Sequence, residues 1–253
     1  MPSLWQKLCE DPMTKAELKL DWCSHEAAKY AVEHWHYSKS LPAGKIVKIG
    51  VWEDQKFIGV ILFSWGANRN IGSPYGLKQI EVCELVRVAI TKHLTPVSRI
   101  LAIAMKMLHS QSPGVKLIVS YADQNQDHHG GIYQAGNWVY VGQTGKDTNN
   151  YCPDWSVKMP NGALMHRKTY ASKYGKQKPK DIGLEYVVHL PKHKYLYPLT
   201  PEMKAKIELL RKPYPKRAIV KGSQQANADN GGSLPTRSLQ SSQAELAGNL
   251  TND

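Results

Sequence analysis

Cysteine is scarce in this sequence and is never paired. Its four cysteines, Cys9, Cys23, Cys83 and Cys152, are scattered through 253 residues with no C-x-x-C among them. Neither a disulfide framework nor a cysteine zinc site is expected, and the thiols read as reduced. No apolar run approaches the ~18 residues that cross a bilayer, so no membrane partner is expected. The opening stretch MPSLWQKLCEDPMTK lacks the apolar core of a signal peptide, which makes the cytoplasm the expected location. There is no internal repeat, no G-x-x-x-x-G-K-[ST] phosphate loop, and no H-x-x-E-H pair. His34 and His36 form an H-x-H that sends its rings to different sides of a helix, so a zinc site of the usual kind is not expected. Acidic residues are in deficit too, with 21 against 33 Lys and Arg, for a net charge of +12.

The remaining composition, 42% hydrophobic with seven Trp, is that of a globular chain long enough for one sizeable core. The charge is unevenly placed. Between Lys158 and Arg217 stand fifteen Lys or Arg and four Asp or Glu, so eleven of the twelve net charges fall there. Such a segment is either a solvated lysine face or a surface for a polyanion, above all nucleic acid. Tyr170, Tyr174, Tyr186, Tyr195 and Tyr197 are interleaved with the cations, and rings that stack on bases beside cations that hold phosphates favour the second reading. Arg167, Lys168, Lys173, Lys176, Lys178 and Lys180 are the expected DNA contacts.

Periodicity predicts a helix from Ser24 to Tyr37, capped by Ser24 and burying Ala28, Ala31, Val32 and Trp35. A hairpin follows, Lys45 to Trp52 and Lys56 to Phe63, and then a strand in QIEVCELVRVAI whose alternation sends Glu84 and Arg87 to opposite faces. A helix starts at Thr95-Pro96 with Val97, Ile100, Leu101, Ala104 and Leu108 on its buried stripe. VKLIVSYA reads as a central strand covered on both faces, followed by a short helix and the strand NWVYVGQT. The order implies an α/β fold, a mixed central sheet with helices on both faces. Residues 1–157 are expected to form this domain, 158–217 a basic extension packed on it, and 218–253 a disordered tail rich in Ser, Gln, Asn and Gly.

Polar groups gather where sites on open sheets usually lie. His36 and Tyr37 end the first helix, as a core plug or as a donor and base facing a cleft. Arg87 reads as a bridge to a nearby acid or as a clamp for an anionic substrate group. Asp123, directly after LIVSYA, is either the cap of the next helix or a partly desolvated base whose pKa is raised. In SYADQNQDHHGGIYQAGNW, Ser120, Gly130, Gly131 and Asn137 are expected to line the donor or substrate site, the glycine pair giving close backbone approach to a helix N-terminus and Tyr133 reaching the same place. His128 and His129 are adjacent and diverge. A non-haem iron set of two His and one carboxylate, drawn from His36, His128 or His129, and Asp123, stays open. The turn ITKHLTPVS lacks the Gly-rich pyrophosphate cradle typical of coenzyme-A-dependent acyltransferases.

The runs HYSKSLPAGKI, FIGVILF, ELVRVAI, TPVSRILAIAMKML and IVSYADQNQDHHGGIYQAGNWVYVG resemble the Mom family of bacteriophage DNA-modification proteins over about residues 35–142. The resemblance implies a GNAT-type acyltransferase fold and a transferase that places an acetamido, or methylcarbamoyl, group on adenine N6 in phage DNA, hiding it from host restriction enzymes. It implies His36, Tyr37, Arg87, Asp123 and Tyr133 as the functional set, double-stranded DNA with a flipped adenine as partner, and the host cytoplasm as the place of action. The donor stays open between acetyl-coenzyme A and a glycine-derived aminoacyl species, as do an iron requirement and the choice of monomer or homodimer. The rival readings are a coenzyme-A-dependent GNAT N-acyltransferase acting on a protein or small-molecule amine, and a non-catalytic DNA-binding protein.

Overall fold

The computed structural model describes residues 16–66, 68–145 and 154–216. Cys9, Cys152, Arg217 and the 218–253 tail lie outside the described residues. In chain order the elements are β1 (Leu18–Trp22), α1 (His25–Trp35), β2 (Ile46–Glu53), β3 (Lys56–Ser64), β4 (Val82–Ile90), α2 (Val97–Gln111), β5 (Leu117–Ala122), α3 (Gly131–Ala135), β6 (Val139–Gln143), β7 (Trp155–Lys158), β8 (Leu164–His166), α4 (Arg167–Tyr174), β9 (Glu185–Val188), β10 (His193–Pro198) and α5 (Pro201–Glu208).

Seven strands form one mixed sheet in the order β1-β2-β3-β4-β5-β10-β6, and β8-β7-β9 form a second, smaller one. In the large sheet only β4 and β5 run parallel. The expected α/β architecture with a mixed sheet covered on both faces is present. α2 buries Ile100, Leu101, Ala104, Met105 and Leu108 against Ile61, Phe63, Leu85 and Ile118 on one face. On the other, α1 buries Ala28, Ala31 and Val32 against Val60, Leu62 and Ala89, while α5 brings Met203 and Ile207 onto Leu117, Val119 and Leu196. β5 is hydrophobic on both sides because both sides are covered. Ser24 caps α1 as its sequence predicts, accepting from Ala27 N at 3.1 Å.

Two features depart from the sequence reading. β1, a five-residue edge strand with Trp22 exposed, carries too short an alternation to stand out. More important, β10, from the segment expected to be an extension, pairs antiparallel with both β5 and β6 in the interior of the sheet. The boundary expected at residues 157/158 therefore does not separate two packed bodies, since the chain leaves the sheet after β6, builds the small β7–β9 unit and returns.

One carboxylate ties the sheet to α2. Glu53, buried at the end of β2, accepts from Leu94 N and Thr95 N at 2.8 Å each, just ahead of the helix. Burial works to raise its pKa, but these hydrogen bonds and His93 outweigh it, and the carboxyl titrates below its ordinary value. A depressed carboxylate stabilises the fold above its unfolded pKa and loses that contribution as pH falls through the folded value. Glu53→Ala is expected to cost about 2–4 kcal/mol at neutral pH by stranding two N–H groups, with the deficit shrinking in acid. Urea unfolding of both proteins at neutral and acid pH measures this.

Candidate functional site

The site lies where the two parallel strands part. β4 and β5 pair from Val82–Leu117 to Leu85–Ser120 and no further. β4 then continues along β3 to Ile90, and β5 along β10 to Ala122, leaving a wedge in mid-sheet. At its apex the buried Ser120 Oγ lies 2.9 Å from the Leu85 carbonyl and 2.8 Å from the Tyr133 hydroxyl. A register shift opposes Leu62 to Arg87 but Phe63 to Leu85, with Val86 as the extra residue of a bulge. Glu84 stands opposite Ser64, so Glu84 and Arg87 share one face. Simple alternation had placed them apart, and the bulge overturns that expectation.

Arg87 donates through Nη1 to the Val86 carbonyl at 2.7 Å, and its buried Nε has no partner. No carboxylate pairs with it among the described residues, so the bridging role open to it in the sequence is not the one it plays. A half-buried guanidinium with an unmet donor is suited to an incoming carbonyl or anionic oxygen.

α1 ends at Trp35, and His36 turns extended (φ −119°, ψ 138°), leaving the helix and burying its ring. Its Nδ1 accepts from Ser38 N at 3.1 Å and lies 2.8 Å from Ser38 Oγ. A backbone N–H can only donate, so Nδ1 is bare and the neutral ring carries its hydrogen on Nε2, an assignment made from the hydrogen bonds. Burial first, then the charges of Arg87, His128 and Lys39, push its pKa down to about 3. His36 is thereby uncharged near neutral pH, with its hydrogen on Nε2. Tyr37 leans on His36 with ring centroids 4.3 Å apart and planes tilted by 31°, and meets His128 edge-on at 5.5 Å; the residue is 40% exposed. Burial and the Asp123 charge raise its phenol pKa, so it stays protonated.

Asp123 accepts from Asn125 N and Asn125 Nδ2, both at 3.0 Å, and pairs with Lys192 Nζ at 3.2 Å. It thus caps the turn Gln124–Gln126. Desolvation raises its pKa, as expected from its place at the strand end, but Lys192 and Asn125 overcome that and the carboxyl lies below its ordinary value. The expected raised pKa is overturned by a partner the sequence does not reveal: Lys192 is 69 residues downstream of Asp123.

The glycine pair serves packing. Gly130 has φ +85°, and a Cβ there would meet the Tyr195 ring at 2.4 Å. That ring, not a ligand, fills the space, and its hydroxyl donates to the His129 carbonyl at 2.5 Å. α3, starting at Gly131, has five residues, too short for the helix N-terminal anion site expected of it. Asn137 is an exposed turn residue with φ +57°. Tyr133 is buried beside Trp138 and Tyr195, and burial lifts its pKa to about 12. It supports the apex of the wedge from below. The iron set does not assemble, because no group of three or more His, Cys, Asp and Glu among the described residues could hold a metal, and Asp123 is already engaged by Lys192 and Asn125.

The expected DNA face maps to the small sheet and its flanks. Lys168, Lys173, Lys176, Lys178 and Lys180 are exposed there, whereas Arg167 pairs with Asp154 at 2.8 Å. Of the interleaved tyrosines, Tyr170 and Tyr195 are core residues rather than stacking platforms, and Tyr186 is exposed. Lys194 lies over the Tyr75 ring at 5.1 Å and Lys206 donates to the Tyr75 carbonyl at 2.8 Å, so part of the basic charge is spent on packing.

Two outcomes test the geometry. In a histidine NMR titration His36 is expected to keep the Nε2–H tautomer and stay neutral down to about pH 3. As its folded pKa is depressed, it withdraws stability as pH falls below the unfolded value and the unfolded chain takes up the proton first. Gly130→Ala is expected to lower the melting temperature through collision with Tyr195 and the left-handed backbone, a loss of about 2 kcal/mol or more.

Solved structures similar to this chain include FeeM, an N-acyl amino acid synthase from uncultured soil microbes, with a TM-score of 0.42 and 13% identity over 77% of this chain and 96% of that one. Another is an N-acetyltransferase from Staphylococcus aureus Mu50, with a TM-score of 0.40 and 10% identity over 73% and 99% of the two chains. Among curated proteins, the methylcarbamoylase Mom of Escherichia phage Mu is 25% identical over 130 residues, 50% of this chain and 54% of the relative. The match thus spans about half the length of that protein. A sequence model of the Mom protein family matches residues 17–216, nearly all that the structure describes, and the chain belongs to that family.

Proposed function

We propose that this protein modifies DNA, transferring an acetamido (methylcarbamoyl) group to the exocyclic N6 of adenine and so protecting phage DNA from restriction. The observation that carries the reading is the convergence at the strand wedge of His36 and Tyr37 from the end of α1, Arg87 from the bulge of β4 and Asp123 from the end of β5, in a member of the Mom family. The name of the phage Mu relative, a methylcarbamoylase, supports the same chemistry.

Adenine N6 is conjugated with its ring and is a poor nucleophile. Transfer needs the N6–carbon bond to form as the donor's leaving group departs, with one N6 proton passing to a base. Asp123 is that base, and the N6 proton ends on its carboxylate. His36 offers Nε2–H, Tyr37 its phenol and Arg87 its unpaired Nε–H to oxygens of donor and product, aligning them and stabilising charge that builds during transfer. The donor is an activated acyl or aminoacyl species carrying the transferred group. N6 lies inside the duplex, so the base is flipped out. The exposed Tyr37 ring offers a stacking surface for it, and the lysines of the small sheet hold the phosphates. No step here is routed through a metal, because no group of three or more His, Cys, Asp and Glu among the described residues could hold one.

Nucleoside mass spectrometry of plasmid DNA from cells expressing the protein is expected to show the modified adenosine, and adenine-sensitive restriction enzymes to cut that DNA poorly. Unmodified nucleosides despite soluble protein would refute the proposal. Asp123→Asn is expected to lower modification by about 10²-fold or more, and Tyr37→Phe by less, since stacking survives. Full activity in Asp123→Asn would remove Asp123 from its role and leave the reaction standing.

A further inference from the structure

The linker between β9 and β10 is bound to both working parts of the molecule. Upstream, His189 N donates to the Asp154 carbonyl at 2.8 Å and His189 Nε2 lies 2.8 Å from Ser156 Oγ, both on the small sheet side. Downstream, the linker is stitched to the turn that Asp123 caps. Leu190 N donates to Asn125 Oδ1 at 3.1 Å, Gln124 Nε2 donates to the Pro191 carbonyl, and Lys192 Nζ meets Asp123 Oδ2 at 3.2 Å. The backbone of Lys192 is fixed by Thr144, donating to its Oγ1 and accepting from its N, each at 2.9 Å. The Lys192 side chain is different. It is 45% exposed and tethered at its tip by the ion pair alone, whereas the Asp123 side chain is 14% exposed. The ammonium can leave for solvent and the carboxylate cannot.

That asymmetry matters to a polyanion arriving along the exposed lysines of the small sheet. An ion pair whose cation is open to solvent is exchangeable, and a phosphodiester is a competing anion of the same sign as Asp123. We propose that Lys192 exchanges partners, holding Asp123 in the free protein and moving to a DNA phosphate beside the target base when the duplex is seated, which leaves the carboxylate unpaired and able to accept the N6 proton. This rests on the reaction proposed above for the identity of the substrate. Lys192 is a positioning residue in it, acting through Asp123.

Among the described residues no other cation takes its place. The remaining titratable groups that act on Asp123 are His128, in the loop after its turn, His189, on the linker, and Tyr37, at the end of α1. Burial pushes both imidazoles below their ordinary pKa and the phenol above its own, so all three are uncharged near neutrality. Asn125 keeps its two hydrogen bonds to the carboxylate. With Lys192 gone, desolvation is the larger influence left, and it favours proton uptake.

The test needs no donor. The Asp123 carboxyl of the full chain is titrated by carbon NMR, assigned with Asp123→Asn, alone and saturated with a short duplex carrying a mismatched adenine. In wild type the duplex is expected to move its pKa upward by about one pH unit or more, the size of effect an opposite charge exerts. In Lys192→Gln the value is expected to start high and to ignore the duplex. The slope of duplex affinity against salt is expected to fall by about one in Lys192→Gln and to return in Lys192→Arg. A wild-type carboxyl that does not respond to duplex overturns the exchange, as does a salt slope that Lys192→Gln leaves unchanged. The salt-slope arm needs no assignment of the carboxyl signal, so an Asp123→Asn variant that fails to fold leaves the exchange testable. Adenine modification in cells with an unresponsive Asp123 would sink the exchange alone, and a responsive Asp123 without modified adenine would sink the reaction alone.

Discussion

The parting of two parallel strands after Leu85 and Ser120 is the constraint on which the rest of the molecule depends. A continuous sheet satisfies its own backbone and offers a ligand only side chains. Where β4 and β5 separate, each keeps an antiparallel partner, so the wedge opens at little cost in hydrogen bonds. The bulge at Val86 is the complementary distortion. By adding one residue it turns Arg87 onto the face where α1 ends, so that His36, Tyr37 and Arg87 converge although nothing in local alternation brings them together. Ser120 and Tyr133 close the bottom of the wedge and keep the core dry.

Around this opening, charge is managed by burial and by pairing. His36 is forced neutral and its hydrogen placed on Nε2, Tyr37 is kept protonated, and Asp123 is held anionic by Lys192. The wedge at rest thus holds neutral hydrogen-bond donors beside one paired carboxylate. This is a division between neutral and charged groups, reached through desolvation and pairing.

Much of this was legible in the residues. The helix ending at His36, the hairpin, the α2 stripe and the buried strand leading to Asp123 all follow from periodicity, because each element's core face is local information. The segments that supply the site were found for the same reason, as polar groups at the ends of strongly apolar elements. What escaped was non-local. The bulge at Val86 has no composition signature, being defined by the register against β3. β10 reads as part of a basic extension because the strand HKYLYP carries a lysine and prolines flank its neighbourhood, yet pairing on both sides makes it a central strand. Gly130 suggested a ligand and instead makes room for Tyr195, which lies on that same unforeseen strand. Lys192 looked like one cation among fifteen. Only the return of the chain sets it against Asp123.

The interior place of β10 also bears on the order in which the molecule can be made. β5 and β6 leave the ribosome well before the strand that must lie between them, and the small lysine-bearing sheet is synthesised in the interval. Until residue 198 has emerged, β5 lacks its antiparallel partner and the Asp123 turn lacks the linker that fastens it. Such long-range closure is slow compared with local helix formation. A nascent or truncated chain therefore has neither a finished wedge nor a paired Asp123 carboxylate, and both arrive only after the small lysine-rich unit has been synthesised.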